Sequence, residues 1–61
     1  MNTYEIYCKN TIIITVNADK YKIKYDTFGY YFEFYRNDKK VLWVYEKEII
    51  GIGKNMEANN V

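Results

Sequence analysis

An all-β fold of five or six antiparallel strands, a meander forming a curled sheet or a small open barrel of the SH3/Sm-like kind, is what this sequence predicts. Three observations predict it. Short segments rich in β-branched and aromatic residues are separated by breaks rich in Asn, Asp and Lys. No segment sustains helical spacing. Residues 20–25, KYKIKY, alternate lysine with apolar side chains at the period of two that a half-buried strand requires.

The breaks come first, because they delimit the strands. Proline is absent and glycine occurs only at 29, 51 and 53, so the turns fall to KN (9–10), NADK (17–20), DTFG (26–29) and RNDKK (36–40). Between them lie TYEIYC (3–8), TIIITV (11–16), KYKIKY (20–25), YYFEFYR (30–36), VLWVYE (41–46) and a sixth segment, EIIGIG (48–53). A short helical turn fits at 45–48. Residues 54–61 lose both period and apolar content and read as a flexible tail after a single β domain spanning 1–53.

The first hairpin carries a register choice. A two-residue loop at Lys9 and Asn10 would set Ile6 beside Ile13 and split the apolar sets of the two strands. A three-residue loop, or a bulge near Asn10, aligns Tyr4, Ile6 and Cys8 with Val16, Ile14 and Ile12 on one face, and is preferred, with Asn10 taking the left-handed conformation such loops use. In the third strand Tyr21, Ile23 and Tyr25 oppose Lys20, Lys22 and Lys24. In the fourth, Tyr30, Phe32 and Phe34 oppose Tyr31, Glu33 and Tyr35. In the fifth, Val41, Trp43 and Tyr45 oppose Leu42, Val44 and Glu46. Strands that are apolar on both faces are central, covered on both sides or committed to a partner.

Size and composition narrow the function. A domain of 61 residues buries only roughly 60% of the surface its unfolded chain exposes and needs a supplement to its core. Cys8 is the only cysteine and histidine is absent, which excludes an internal disulfide and the ordinary zinc sites, so self-association into a homo-oligomer is the expected supplement. Twelve aromatic rings exceed what one small core uses, and some are expected on a second, contact-making surface. The net charge of +1 does not by itself imply nucleic acid. The longest apolar run is far short of a membrane span and the amino terminus has no signal-peptide pattern, so the expectation is a soluble cytoplasmic protein, no membrane partner and a reduced thiol at Cys8.

Catalysis is not expected. Cys8 has no histidine to act as its base, Glu46 and Glu48 flank Lys47 in a solvated turn, and neither a glycine-rich phosphate loop nor a metal-ligand cluster is present in the sequence. No cofactor is implied. The candidate binding residues are Tyr31, Tyr35, Trp43 and Tyr45 with the lysine row Lys20, Lys22 and Lys24. The aromatic set reads as a protein-docking surface, a base-stacking platform or a small-ligand pocket, with one of the two faces of residues 30–36 serving as core. The lysine row reads as a phosphate track, as the soluble face of a sheet, or as a guard against unwanted edge pairing.

VLWVYEKEIIGIG, from Val41 to Gly53, is similar in rhythm to the end of Sm-like barrels, where a strand passes through a short turn into a final strand. The histidine-containing turn that such RNA-binding barrels use has no counterpart here, and no RNA-binding residue is carried over. ITVNADKYKI (14–23) and FYRNDKKVLWVYEKEIIGI (34–52) resemble the short all-β accessory proteins of phages and mobile elements of low-GC bacteria. That resemblance implies a protein that works by binding: an inhibitor of a host enzyme or defence protein, acting in the host cytoplasm on a larger bacterial protein. The alternative is a binder of nucleic acid or cyclic nucleotides through lysines and aromatic stacking, and a purely structural small subunit is the third.

Overall fold

The computed structural model describes the backbone of residues 1–56 and the side chains of residues 1–54. The chain is a small all-β protein of six strands: β1 (Asn2–Cys8), β2 (Ile13–Ala18), β3 (Lys20–Asp26), β4 (Gly29–Arg36), β5 (Lys39–Tyr45) and β6 (Ile49–Met56), with a 3-10 turn at Glu46–Glu48. They form two three-stranded antiparallel sheets, ordered β2-β1-β6 and β3-β4-β5, and no barrel closes among the described residues. β2 and β3 are consecutive yet lie in different sheets. β6 runs three residues past the boundary expected at 53, and the rest of the expected tail, 57–61, lies outside the described residues.

Local chemistry explains the connections. The first hairpin takes the three-residue loop: Ile6 faces Ile14 and Tyr4 faces Val16. The left-handed residue is not Asn10 but Thr11, at φ 69°, while Asn10 accepts a hydrogen bond from the Ile12 N–H at 3.2 Å. β3 and β4 meet across Thr27–Phe28, where Asp26 Oδ1 accepts from the Phe28 N–H at 2.8 Å and Gly29 takes φ 123°, open only to a residue without Cβ. Asn37 and Asp38, at φ 53° and 64°, form the two-residue turn whose twist matches the strands it joins.

Asp19 makes the corner between the sheets. Its N–H donates to the Tyr35 carbonyl at 2.8 Å, and its carboxylate accepts from the Asn37 N–H at 2.8 Å, so the chain leaving the first sheet is clamped to the end of β4 and the first residue of the turn after it.

The core lies where the two sheets face each other. Ile6 on β1 and Phe34 on β4 are fully buried, joined by Tyr4, Cys8, Ala18 and Ile49. Tyr4 packs edge-on against Phe34 at 5.2 Å between centroids and against Tyr21 at 5.6 Å, which couples β1 to both β4 and β3. Of the two faces of β4, the one carrying Tyr30, Phe32 and Phe34 is the core face, and only in part: Phe34 is buried, Phe32 is half-buried and Tyr30 is exposed. The reason is coverage. β1, β2 and β6 lie over one end of the second sheet and leave Ile23, Tyr25 and Tyr30 beyond their reach. A radius of gyration of 12.0 Å, against about 10.5 Å for a compact chain of this length, reflects the same open packing.

Two bulges displace single residues. Between Phe34 and Tyr35 the partner on β5 jumps from Leu42 to Lys40, leaving Val41 unpaired, and between Tyr7 and Cys8 the partner on β6 jumps from Gly51 to Ile49, leaving Ile50 outside. The first of these matters for the site.

Core and loop make opposite predictions. Phe34→Ala is expected to cost on the order of 3–5 kcal/mol, against a total stability of roughly 3–9 kcal/mol for a domain of this size, and Phe32→Ala to cost less because that ring is only partly buried. Thr11→Gly, which relieves a β-branched residue of a left-handed backbone, should instead raise stability by about 0.5–1 kcal/mol. Urea unfolding of the three variants checks both; a more stable Phe34→Ala than Phe32→Ala would reverse the placement of the core.

Candidate functional site: the outer face of the second sheet

The face of β3-β4-β5 turned away from the core gathers all seven residues singled out in the sequence. Register does this. Lys20, Lys22 and Lys24 on β3 stand opposite Tyr35, Glu33 and Tyr31 on β4, while Trp43 and Tyr45 on β5 stand opposite Glu33 and Tyr31 from the other side. The face therefore runs from a lysine border, across a central Tyr-Glu-Tyr row, to an aromatic border.

The aromatic half is a self-packed unit. Tyr31, Trp43 and Tyr45 lie pairwise 5.2–5.9 Å apart between centroids at interplanar angles of 65–80°, the edge-to-face geometry that opposes the positive edge of one ring to the negative face of another. The Tyr45 hydroxyl reaches across β4 to donate to Asp26 Oδ2 at 2.7 Å, and this bond raises the Tyr45 pKa. Trp43 remains 51% exposed. With Asp26, Glu33 and Lys40, the three rings line a shallow recess of about 290 Å³.

Three groups that the sequence did not single out complete the face: Glu33, Lys40 and Asp26. Glu33 is only 3% exposed although it lies on the outer face, because Trp43, Tyr35 and the lysine stems close over it. Its carboxylate accepts a hydrogen bond from the Tyr35 hydroxyl and forms ion pairs with Lys24 Nζ at 3.0 Å and Lys40 Nζ at 3.1 Å. A buried carboxylate without such partners would be costly. The Tyr35 bond, followed by that from Lys24, holds its pKa down at about 2, below the ordinary 4.5, against the opposing effect of burial. The same contacts push up the pKa of Tyr35 and of Lys24.

Lys40 was out of reach of strand alternation. An unbroken β5 would send it to the same side as Leu42, toward the core. The bulge that leaves Val41 unpaired turns it instead to the outer face, beside Tyr35 and within reach of Glu33. Glu33 did leave a signal, a lone carboxylate among rings facing a strand with lysine at every second position.

The remaining lysines are partly engaged. Lys22 Nζ sits 5.1 Å from the centroid of Tyr35, and Lys47, from the 3-10 turn, sits 5.7 Å from that of Tyr45. Cys8 is buried at the end of β1, a small apolar member of the core. Among the described residues no group of three His, Cys, Asp or Glu side chains could hold a metal, and no helix is long and apolar enough to cross a membrane.

Fold and face together define a small all-β protein with a lysine-bordered aromatic surface built around a buried carboxylate. No protein-family model matches the chain, and neither a curated protein nor a solved structure is significantly similar to it.

Glu33 gives the site a pH signature. Its folded pKa lies below the unfolded one, so the ionised carboxylate favours the folded state fully above about 4.5, and that contribution fades as pH falls toward 2. Acid unfolding followed by Trp43 fluorescence should show this loss. Glu33→Gln should flatten that part of the profile and lower the melting temperature at pH 7, since Lys24 and Lys40 are left facing an uncharged group; an unchanged acid profile would mean the carboxylate is not paired as described.

Proposed function

We propose that this is a small non-enzymatic binding protein that blocks a larger protein by surface contact, in the manner of a phage-encoded inhibitor of a host enzyme or defence protein. The observation that carries the reading is the convergence of Trp43, Tyr31, Tyr35 and Tyr45 on one face. Tryptophan and tyrosine dominate the energetic centres of protein interfaces, because a rigid ring offers contact area at little entropic cost. Here the rings are held in place by one another and by hydrogen bonds to Asp26 and Glu33 before any partner arrives.

Binding of a nucleic acid or cyclic nucleotide is the second reading, favoured by four lysines, at 20, 22, 24 and 40, on the same face. The details of the face weigh toward protein. Two of those lysines are engaged by Glu33, and the aromatic rings pack edge-to-face among themselves instead of presenting parallel platforms to bases.

Self-association belongs to the same proposal. Ile12, Ile13 and Ile50 are exposed on the first sheet and its loops and would supply the burial that so small a core lacks. Light scattering should give more than the 7.4 kDa of one chain.

The two readings separate in a capture from bacterial lysate with and without nuclease, set beside an oligonucleotide titration read by Trp43 fluorescence. A stoichiometric protein partner should survive nuclease. Trp43→Ala, which remains folded because its ring is half exposed, should weaken the partner by at least about 2 kcal/mol, near 30-fold. Submicromolar, steeply salt-dependent oligonucleotide binding that is lost when Lys20, Lys22 and Lys24 become glutamine would transfer the conclusion to the second reading.

A further inference from the structure

We infer that the free edge of β3 is a strand-addition site for an extended segment of the partner in which acidic side chains alternate with apolar ones. This inference deepens the protein-binding reading and rests on it.

β3 ends the order β3-β4-β5, and on that side no strand pairs with it among the described residues. Every second residue of such an edge directs its N–H and C=O outward. Two of the devices that blunt an edge, a bulge and a proline, are missing from it, since all seven residues from Lys20 to Asp26 pair with β4 in unbroken register; the third, a row of lysines, is present and repels basic strands while leaving acidic ones free to pair. Exposure runs along both faces of the strand. Tyr21, Ile23 and Tyr25, which point toward the core side, are exposed together with the lysines between them.

The two faces state what would fit. An added strand continues the pleat, so its alternate residues fall beside Lys20, Lys22 and Lys24 on one face and beside Tyr21, Ile23 and Tyr25 on the other. Carboxylates at the first set meet the ammonium groups of Lys20 and Lys22 and share that of Lys24 with Glu33, and β-branched or aromatic side chains at the second cover rings that the first sheet leaves in water. Backbone pairing supplies attraction and the alternating pockets supply selectivity, as in other complexes in which a peptide extends a sheet.

The same row disfavours the most available competitor, a second copy of this chain. An antiparallel pairing of β3 with itself about Ile23 would set Lys20 opposite Asp26, but Lys22 opposite Lys24, twice over. Like charges directly opposite repel, so the row admits an acidic strand and discourages its own. Such a strand would lie along the lysine border of the outer face, which leaves Trp43 and its neighbours free to meet the rest of the partner.

The experiment uses the full chain, two capped heptapeptides, one alternating glutamate with valine and one alternating lysine with valine, calorimetry, and hydrogen exchange of the β3 amides. The acidic peptide should bind at least about tenfold more tightly than the basic one at low salt, lose that advantage at high salt, and slow exchange in β3 but not in β2 or β5. The variant K20E/K22E, which leaves the Lys24–Glu33 pair intact, should abolish or reverse the preference. Equal binding of the two peptides, no binding of either, protection elsewhere than β3, or β3 protection that grows with protein concentration alone would overturn the inference, the last by making a second copy the occupant. A partner captured through Trp43 while the acidic peptide fails to bind would leave the protein-binding reading standing and remove only this site.

Discussion

The contact of Tyr4 with Phe34 and Tyr21 is the interaction on which the rest of the structure depends. Two three-stranded sheets have no covalent or hydrogen-bonded continuity across most of their facing surfaces, and this cluster of rings, with Ile6 beneath it, is what holds them face to face. Because only one end of the second sheet is covered, the same contact decides which inward-facing side chains are core and which are left outside. Phe34 lies under β1, whereas Ile23, Tyr25 and Tyr30 lie beyond it.

Burying Phe34 has a consequence on the opposite face of the same strand. With Phe32 and Phe34 turned inward, Glu33 must turn outward, into the middle of a sheet whose neighbouring strands carry long side chains. Covered by those neighbours, it keeps its charge because the Tyr35 hydroxyl and two ammonium groups replace the water it has lost. Those bonds in turn tie β3, β4 and β5 together through their side chains and fix Tyr35 and the lysine stems, so that the aromatic and basic parts of the face are set by one anion at its centre.

A face of this construction suits contact with another protein. Its rings are pre-ordered, its cations border rather than fill it, and the sheet it belongs to ends in an unpaired strand. Under the proposed reading, side-chain recognition beside an open backbone edge would let a chain of 61 residues engage a larger surface than its own core would support. The core-side residues of β3 that the fold leaves in water would, on the same proposal, form one wall of that edge.

The sequence by itself determined the all-β class, the six strands to within two or three residues at their ends, the short turn before the last strand, the register of the first hairpin and the division of β3 and β4 into two faces. These follow from local causes: period-two alternation, β-branched and aromatic content, and the turn chemistry of Asn, Asp and Gly. It divided the seven candidate residues among the faces of their own strands without saying which faces coincide, and it is the register of β3 with β4 and of β4 with β5 that brings them onto one. Only the tertiary structure decided that β2 and β3 part into different sheets at Asp19, that Tyr30 is exposed while Phe34 is buried, that Thr11 takes the left-handed position, and that Lys40 turns outward to Glu33. Each of these depends on coverage or register between segments distant in the chain. The two-residue turn at Asn37–Asp38 requires one alignment of β4 with β5 and the apolar pairing of Phe34 with Leu42 requires another, and a single unpaired residue, Val41, reconciles them.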